Sequence, residues 1–355
     1  MSVAASAAVG PPPGMKVRLS SNESAWGPSP RAVEAATRTV EEAHLYPDDQ
    51  AVALRQAIAA HEAVELDQVS VGTGSAAVLM DVIEQTCTDG GEVLAFEKSF
   101  VVYRLGARNA GVPYVEAPTG GPATVDTPGW RRDPQALLDH VTDATRVVCI
   151  DNPGNPTGTH LTGEEVQSLV DALPEGVTVV LDEAYHHFAA GQQGYATAAE
   201  LSLTHPRLLV MRTFSKAYGL AGMRVGYVTG PSELVGPVDQ WRSRFNVPSP
   251  SQAAARAALD DHAHLERTIA GTLEGRERMQ GWLTEHGVPF TPSLGNFVTI
   301  ELGRPAAEVV EAFAAHEVGV RPLAPYGMGE QIRVSVGTPD EVDVFLAAAE
   351  DVLAR

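Results

Sequence analysis

One lysine stands within a segment of small and hydroxyl-bearing residues. Lys216 lies in RTFSKAYGLAGMR, residues 212–224, directly after an apolar run that predicts a buried strand. Lysine amines form Schiff bases with carbonyl cofactors. Thr213, Ser215 and Arg224 are spaced so that two hydroxyls and a guanidinium could surround one phosphate. The segment therefore indicates Schiff-base chemistry beside a phosphate site, and the alternative interpretation is a surface lysine in a loop.

A carboxylate follows a second apolar run. Asp182 comes directly after Val177–Leu181 and begins the sequence DEAY. It would therefore lie at the carboxyl edge of a predicted sheet, where open α/β folds bind ligands. A functional carboxylate there needs a buried cation as its partner, and a protonated pyridine nitrogen is one such cation. Helix capping is the simpler interpretation of the same residue.

An asparagine and a glycine-rich turn follow two further apolar runs. Asn155 lies in NPGNPTG after Val147–Ile150, where it could donate to a phenolate-like oxygen or belong to a simple turn. The turn Gly72–Ser75 stands between a strand and a helix and favours an anion at the helix N-terminus. Because Ala77 occupies the last glycine position of a dinucleotide-binding motif, a nucleotide-dependent oxidoreductase is disfavoured.

An arginine interrupts an apolar strand near the end of the chain. Arg333 lies within IRVSVG, and a buried guanidinium is costly unless it pairs with an anion. Bidentate binding of a substrate carboxylate and a structural salt bridge are the two interpretations.

These residues need a framework that brings the ends of several strands together. Short apolar runs alternate with helical segments from Val69 to Val228, which predicts an α/β fold with a mainly parallel central sheet covered by helices. After Pro231, a long helical region, Ser251–His286, precedes further strands and helices and predicts a smaller α+β domain. The predicted domains are 1–40 as an N-terminal arm and part of the small domain, without a sheet of its own, 41–240 as the large cofactor-binding domain, and 241–355 as the small C-terminal domain.

The composition argues against several classes of partner. The net charge is −20 and the isoelectric point about 4.9, whereas a nucleic-acid backbone requires a basic face. No apolar run approaches ~20 residues, so we expect no membrane span. Residues 1–15 lack the charged and apolar regions of a signal peptide, and we expect a flexible tail there.

Cysteine and histidine usage predicts no metal site. Cys87 and Cys149 lack C-x-x-C spacing, which argues against a cysteine-built zinc site. Two unpaired thiols are typical of a reducing compartment, so the predicted location is cytoplasmic. The side chains of His186 and His187 diverge as neighbours in sequence and are not expected to bind one metal ion.

Together these segments resemble, in order and spacing, the fold type I pyridoxal-phosphate aminotransferases. The resemblance is greatest to the histidinol-phosphate aminotransferases and their aromatic amino-acid relatives, and it extends from LSSNE at Leu19 to RVSVGT at Arg333. It implies pyridoxal 5′-phosphate as cofactor and a transaminase that moves an amino group between an amino donor and a 2-oxo acid or phosphorylated ketone. It also implies a ping-pong Schiff-base mechanism and a homodimer with shared active sites.

The resemblance also implies a role for each matching residue. Lys216 would hold the cofactor as a Schiff base and shuttle the substrate proton. Asp182 would keep the pyridine nitrogen protonated, and Tyr185 with Asn155 would bind the ring hydroxyl oxygen. The remaining implied cofactor contacts are Phe100 on the ring, Gly74, Ser75, Ala76, Thr213, Ser215 and Arg224 at the phosphate, and Tyr46 from the neighbouring subunit. The implied substrate contacts are Arg333 at the α-carboxylate, Asn22 nearby, and Arg321 at a distal phosphate.

Departures from the family pattern leave the substrate branch open. Ala76 and Ala77 replace two acids, and the short N-terminal arm lacks a tyrosine that family members use at the distal phosphate. These losses favour the aromatic branch or a specialised biosynthetic enzyme, whereas Arg321 favours the histidinol-phosphate branch. We expect the substrate side chain near Trp26, Tyr103 and Arg321. A threonine-phosphate-type decarboxylase or an amino-acid oxidase/hydroxylase is the alternative reaction on the same fold.

Overall fold

The computed structural model describes residues 15–197 and 205–353. Residues 1–14 of the predicted tail at 1–15 lie outside these ranges. The helices are Pro30–Val40, Val52–Glu62, Ser75–Thr86, Val102–Ala110, Pro134–Leu138, Gly163–Ala172, His186–Ala189, Ser232–Trp241, Ser249–Leu259, His262–Glu285, Ala306–Ala315 and Pro339–Val352. The strands are β1 Val17–Arg18, β2 Val69–Gly72, β3 Glu92–Phe96, β4 Tyr114–Ala117, β5 Thr145–Asp151, β6 Thr178–Asp182, β7 Leu208–Thr213, β8 Gly226–Thr229, β9 Phe290–Thr291, β10 Phe297–Glu301, β11 Val318–Gly319, β12 Arg321–Pro322 and β13 Gln331–Ser335.

A mixed, mainly parallel sheet forms the centre of the molecule. Within the described ranges it has seven strands in the order β2-β8-β7-β6-β5-β3-β4. The pairs from β4 to β7 are parallel. Their residues are mostly apolar and buried, because helices cover both faces of such a sheet. The predicted α/β class with a mainly parallel sheet is therefore confirmed.

One central strand runs against the others. β8 pairs antiparallel with both β2 and β7, whereas the sequence pattern predicted it as one more strand of an alternating series. The chain leaves β7 and returns through the loop around Lys216 as the adjacent antiparallel strand, without the α-helix that usually forms the crossover between parallel strands. Lys216 therefore lies in a connection between adjacent antiparallel strands.

The C-terminal part forms a second core. Antiparallel strands in the order β12-β13-β10-β9 pack with the helices His262–Glu285, Ala306–Ala315 and Pro339–Val352 around buried residues such as Phe313 and Phe345. The predicted helical region Ser251–His286 is two helices, because the chain breaks at Asp260 and Asp261 and the Asp261 carboxylate caps the second helix.

The N-terminal segment contributes to both cores. Val17 and Leu19 belong to the C-terminal core, and β1 pairs parallel with β11. As predicted, the described part of this segment packs with the C-terminal part and forms no sheet of its own. The helix Pro30–Val40 packs instead with Ser249–Leu259 beside the central sheet. The domain boundaries 1–40, 41–240 and 241–355 remain a prediction. In the part of the chain that the structure describes, no helix is both long and apolar enough to cross a membrane.

Candidate active site

A cavity of about 800 Å³ opens where the central sheet meets the C-terminal core. Its wall includes the ends of β5, β6 and β7, the carboxyl edge at which open α/β sheets bind ligands. Most of the residues singled out from the sequence line it. They are Asn22, Ser75, Ala76, Phe100, Asn155, Asp182, Tyr185, Thr213, Ser215, Lys216, Arg224, Arg321 and Arg333.

The Lys216 ammonium reaches into this cavity. Its Nζ donates to the Asn22 carbonyl at 3.1 Å and lies 5.6 Å from the centre of the Tyr185 ring. Burial lowers the pKa of Lys216 to about 8, and the positive charge of Arg333 acts in the same direction. A neutral amine, which is the nucleophilic form, is therefore accessible near neutral pH.

Asp182 presents a carboxylate to the same cavity from the end of β6. The residue is 2% exposed, and its two oxygens accept hydrogen bonds from the Ala184 amide at 3.0 Å and the Tyr103 hydroxyl at 3.4 Å. Burial, followed by the negative charge of Asp151, raises the pKa of Asp182 to about 7. A cationic ligand would stabilise the ionised form, because an unpaired buried carboxylate is costly.

Three further side chains surround the space between Lys216 and Asp182. The Tyr185 hydroxyl accepts from Asn22 Nδ2 at 3.0 Å, and Asn155 Oδ1 accepts from Arg333. Phe100 lies against Tyr103 edge to face. Phenol, amide and aromatic groups thus converge on the cavity.

One end of the cavity is shaped to hold an anion. Gly74 has φ +81°, and a Cβ there would lie 2.4 Å from Arg224 Nη2, so only glycine lets this guanidinium approach the turn. The helix Ser75–Thr86 begins at the next residue and directs its free backbone amides and positive dipole end towards the cavity. Ser215 adds a hydroxyl to the same wall.

Two guanidiniums line the wall formed by the C-terminal core. Arg333 Nη2 and Arg321 Nε both donate to the Ser20 carbonyl, at 3.1 and 2.9 Å. Arg333 is buried and its Nε has no hydrogen-bond partner among the described residues. A buried donor without a partner favours an anionic ligand at this point. Tyr326 lines the cavity near the same arginines.

Some predicted positions lie elsewhere. Tyr46 is 84% exposed and stacks on Phe245 at 4.9 Å, outside the cavity. Trp26 packs on Gly271 of a C-terminal helix, and Tyr103 is fully buried with its hydroxyl on Asp182. Of the three residues expected near the substrate side chain, only Arg321 lines the cavity, and Trp26 and Tyr103 do not.

The sequence interpretation missed two charged residues beside the site. Asp151 ends β5 and lines the cavity, and it pairs with the buried Arg132. The position of Asp151 at a strand end, like that of Asp182, was a usable signal. Arg132 gave none, because it stands in a loop of glycine, proline and threonine. In the described ranges, no group of three or more histidine, cysteine or acidic residues could hold a metal ion.

The cavity fits pyridoxal phosphate by four separate observations. Lys216 supplies an amine of lowered pKa for its carbonyl, and Asp182 supplies a buried carboxylate for its pyridinium nitrogen. The Gly74 turn with Arg224 suits its phosphate, and Phe100 lies where an aromatic ring can stack. Each group has the charge or shape that one part of this molecule requires.

Comparison with known proteins agrees with this geometry. Residues 14–348 match the family model described as Aminotransferase class I and II. The chain is 42% identical over 337 residues, 95% of this chain and 90% of the relative, to histidinol-phosphate aminotransferase 2 of Methylococcus capsulatus. It is 40% identical, with the same two coverages, to the histidinol-phosphate aminotransferase of Anaeromyxobacter sp..

The fold is also similar to that of a solved structure. Histidinol-phosphate aminotransferase from Sinorhizobium meliloti, solved in complex with pyridoxal-5′-phosphate, matches with a TM-score of 0.85 and 28% identity, and the match covers 95% of this chain and 90% of that one. With a family model that covers most of the sequence and relatives at 40% and 42% identity, the chain belongs to the class I and II aminotransferases.

Proposed function

We propose that this aminotransferase uses pyridoxal phosphate to move an amino group between histidinol phosphate and a 2-oxo acid. The observation that carries the proposal is the presence of Arg321 and Arg333 in the same cavity as Lys216. Histidinol phosphate ends in a phosphate and a 2-oxo acid in a carboxylate, and guanidiniums bind both anions in bidentate fashion. The names of the relatives at 40–42% identity point to the same donor.

Lys216 is the residue to which we assign the proton transfer. When bound, pyridoxal phosphate supplies an electron sink for the charge left behind as a proton leaves the carbon that carries the amine. Lys216 would attach the cofactor, and its Nζ would then take and return the proton at the substrate α-carbon. The lowered pKa of this lysine favours the neutral form that accepts a proton.

The other cavity residues would bind and orient. Asp182 would hold the pyridinium nitrogen, and Tyr185 with Asn155 would hold the ring oxygen. Arg333 would fix the orientation of the substrate, so that the bond to be broken faces Lys216. The proposed phosphate contacts are Gly74, Ser75, Ala76, Thr213, Ser215 and Arg224, the stacking residue is Phe100, and the further substrate contacts are Asn22 and Arg321.

We also propose a homodimer in which Tyr46 reaches the phosphate site of the neighbouring subunit. Large apolar side chains are exposed on the single chain at Leu45, Tyr46 and Phe245, and such groups mark association surfaces when they form a patch.

We propose the cytoplasm as the location of the protein. Its two cysteines are free and buried, which suits a reducing compartment.

The test is steady-state turnover of histidinol phosphate with and without 2-oxoglutarate. We expect turnover only with the acceptor present. Replacing Arg321 with Met should raise KM for histidinol phosphate about tenfold, which is the cost of one hydrogen bond to a charged group. The matched control is Arg304→Met, because Arg304 bonds the Val352 carbonyl outside the cavity.

Other outcomes would replace the proposal. Release of carbon dioxide from threonine phosphate without an acceptor would identify a decarboxylase. Turnover of an amino acid that consumes oxygen would identify an oxidase or hydroxylase. A preference for phenylalanine or tyrosine over histidinol phosphate would place the enzyme in the aromatic branch.

A further inference from the structure

A buried ion pair lies beside the cavity and has no role in the mechanism so far. Arg132 Nη2 is 2.7 Å from Asp151 Oδ1, with side-chain exposures of 1% and 3%. The same guanidinium donates to the Asp151 backbone carbonyl and, at 3.1 Å, to the Ser99 hydroxyl. Removing one partner of a buried ion pair strongly destabilises a protein, because the other charge is left buried and uncompensated.

Asp151 ties together two segments that line the cavity. Its Oδ2 accepts the Phe100 amide at 3.1 Å and the Asn155 amide at 2.8 Å. The side chains of these two residues face the cavity, at the positions proposed for ring stacking and for the ring oxygen. One carboxylate oxygen therefore fixes the distance between two groups that would contact the cofactor.

Asp151 also stands next to Asp182. The two residues are partners in the parallel register of β5 and β6, so two carboxylates end neighbouring strands. The negative charge of Asp151 is the second cause, after burial, of the raised pKa of Asp182. The other titratable groups that act on Asp182 or respond to it are Tyr103, Cys149, Tyr185 and Lys216.

The position of Arg132 is fixed by its surroundings. Its guanidinium lies 5.5 Å from the centre of the Phe96 ring, and a Cβ at Gly154 would come within 2.4 Å of its Nη2. Two residues earlier, Trp130 Nε1 donates to Glu301 Oε1 at 2.8 Å in the C-terminal part of the chain. The loop around Arg132 is thus anchored on both sides of the cavity.

We propose that Arg132 and Asp151 are positioning residues for the cofactor. Arg132 neutralises Asp151, so that one carboxylate can fix Phe100 and Asn155 and still leave Asp182 free to ionise and bind the pyridinium nitrogen. The inference rests on the proposed function, because it requires that the cavity bind the cofactor.

The experiment measures the dissociation constant of pyridoxamine 5′-phosphate for the apoprotein between pH 6 and 9. This probe has no carbonyl group, so it reports binding without a bond to Lys216. Wild-type affinity should fall as the pH drops through the Asp182 pKa of about 7. In Arg132→Met, the unbalanced Asp151 charge should raise that midpoint by about one unit, which weakens binding about threefold at pH 7.5 and about ninefold at pH 6.

Three variants separate charge from structure. Arg132→Lys keeps the positive charge and should stay near the wild-type midpoint. The double variant Arg132→Met/Asp151→Asn carries neither charge and should return the midpoint to the wild-type value or below it. Arg55→Met removes another partly buried ion pair, to Asp239, and should lower the melting temperature without moving the midpoint.

The outcomes are distinguishable. A midpoint in Arg132→Met equal to that of the wild type, or a double variant shifted as far upward as the single one, would overturn the pair's role. If Arg132→Met does not fold, Asp151→Asn serves instead, and its midpoint must fall because the like charge is gone. Failure of the wild-type apoprotein to bind the probe would instead refute the proposed function.

Discussion

At the residue scale, the proposed chemistry depends on how burial changes the pKa values of two ionisable groups in opposite directions. Burial disfavours the charged form of each group, which lowers the pKa of Lys216 and raises that of Asp182. Both pKa values approach neutrality, where enzymes place groups that exchange protons. A bound pyridinium would restore the ionised state of Asp182 by direct pairing, because the attraction offsets the cost of burial.

The first prediction concerns the pH at which Lys216 reacts. The chain has three lysines, Lys16, Lys98 and Lys216. Because the pKa of Lys216 is lowered to about 8, its reactive neutral form is lost below that pH and dominates above it. The rate of borohydride-trapped attachment of pyridoxal phosphate should therefore rise with a midpoint near pH 8.

Peptide mapping identifies the lysine that carries the label. Lys98→Met is the matched control, because Lys98 pairs with Glu97 and lies outside the cavity lining; it should keep wild-type labelling. Labelling that persists at the wild-type rate in Lys216→Ala would contradict the assignment.

The second prediction concerns the charge of Asp182. Replacement by Asn keeps the shape of the side chain but removes the partner of a buried cation, which costs at least about 2 kcal/mol. We expect kcat/KM to fall about 30-fold or more. Asp182→Glu keeps the charge and should retain more activity than the Asn variant. Wild-type kcat/KM in Asp182→Asn would show that the carboxylate has no such partner.

At the scale of elements, the site is assembled where strands end and where a turn leaves room for an anion. β5 and β6 end at Asp151 and Asp182, side by side in register. The Gly74 turn meets β8 closely, since a Cβ at Gly226 would lie 2.1 Å from the Ser75 amide. The antiparallel return of β8 thus brings Arg224, two residues before it, to the start of the helix Ser75–Thr86.

The third prediction tests this turn. In Gly74→Ala the new Cβ would collide with Arg224, so affinity for pyridoxal phosphate should fall about tenfold or more, the cost of a lost hydrogen bond to a charged group. The matched control is Gly90→Ala, which has φ +90° and nothing within 4 Å of an added Cβ.

Both glycines have a positive φ, so alanine at either position strains the backbone by about 1–3 kcal/mol. Both variants should therefore lower the melting temperature, as measured by calorimetry. Only Gly74→Ala should lose cofactor affinity. Equal affinities in the two variants would mean that the turn does not bind the phosphate.

Several elements of the fold were predictable from local patterns and others were not. The apolar runs at β3, β5, β6 and β7 and the helix after Gly74 follow directly from hydrophobic periodicity. The antiparallel direction of β8 was not predictable, because a strand's own residues do not record which neighbour it will pair with. Arg132 was missed because nothing in its own segment shows that it pairs with Asp151, which lies 19 residues further along the chain.

At the scale of the whole molecule, the cavity is formed by distant parts of one chain. Four residues that line the cavity lie far apart in the sequence: Asn22 near its start, Asp182 and Lys216 in its middle, and Arg333 near its end. Motif order and spacing allowed these residues to be chosen from the sequence, but not the distances between them. Tyr46 is the one residue chosen in this way that lies far outside the cavity, because in a single chain its side chain is exposed on the surface.

The fourth prediction is that the protein is a dimer in solution. Light scattering should give about twice the chain mass of 37.5 kDa. If Tyr46 completes the neighbour's site, Tyr46→Ala should weaken pyridoxal phosphate binding, whereas Val125→Ala, which alters an exposed apolar residue outside the proposed dimer surface, should not. A monomer with full cofactor affinity would contradict the shared site.

The most direct test of the central claim is the visible absorbance of the purified protein with pyridoxal phosphate as amino donors are added singly. The donors are histidinol phosphate, phenylalanine, tyrosine, glutamate, arginine and threonine phosphate. We predict a visible band that depends on Lys216, that histidinol phosphate removes and that a 2-oxo acid restores. A wild-type protein without this band, or a Lys216→Ala variant that retains it through the same cycle, would contradict the account.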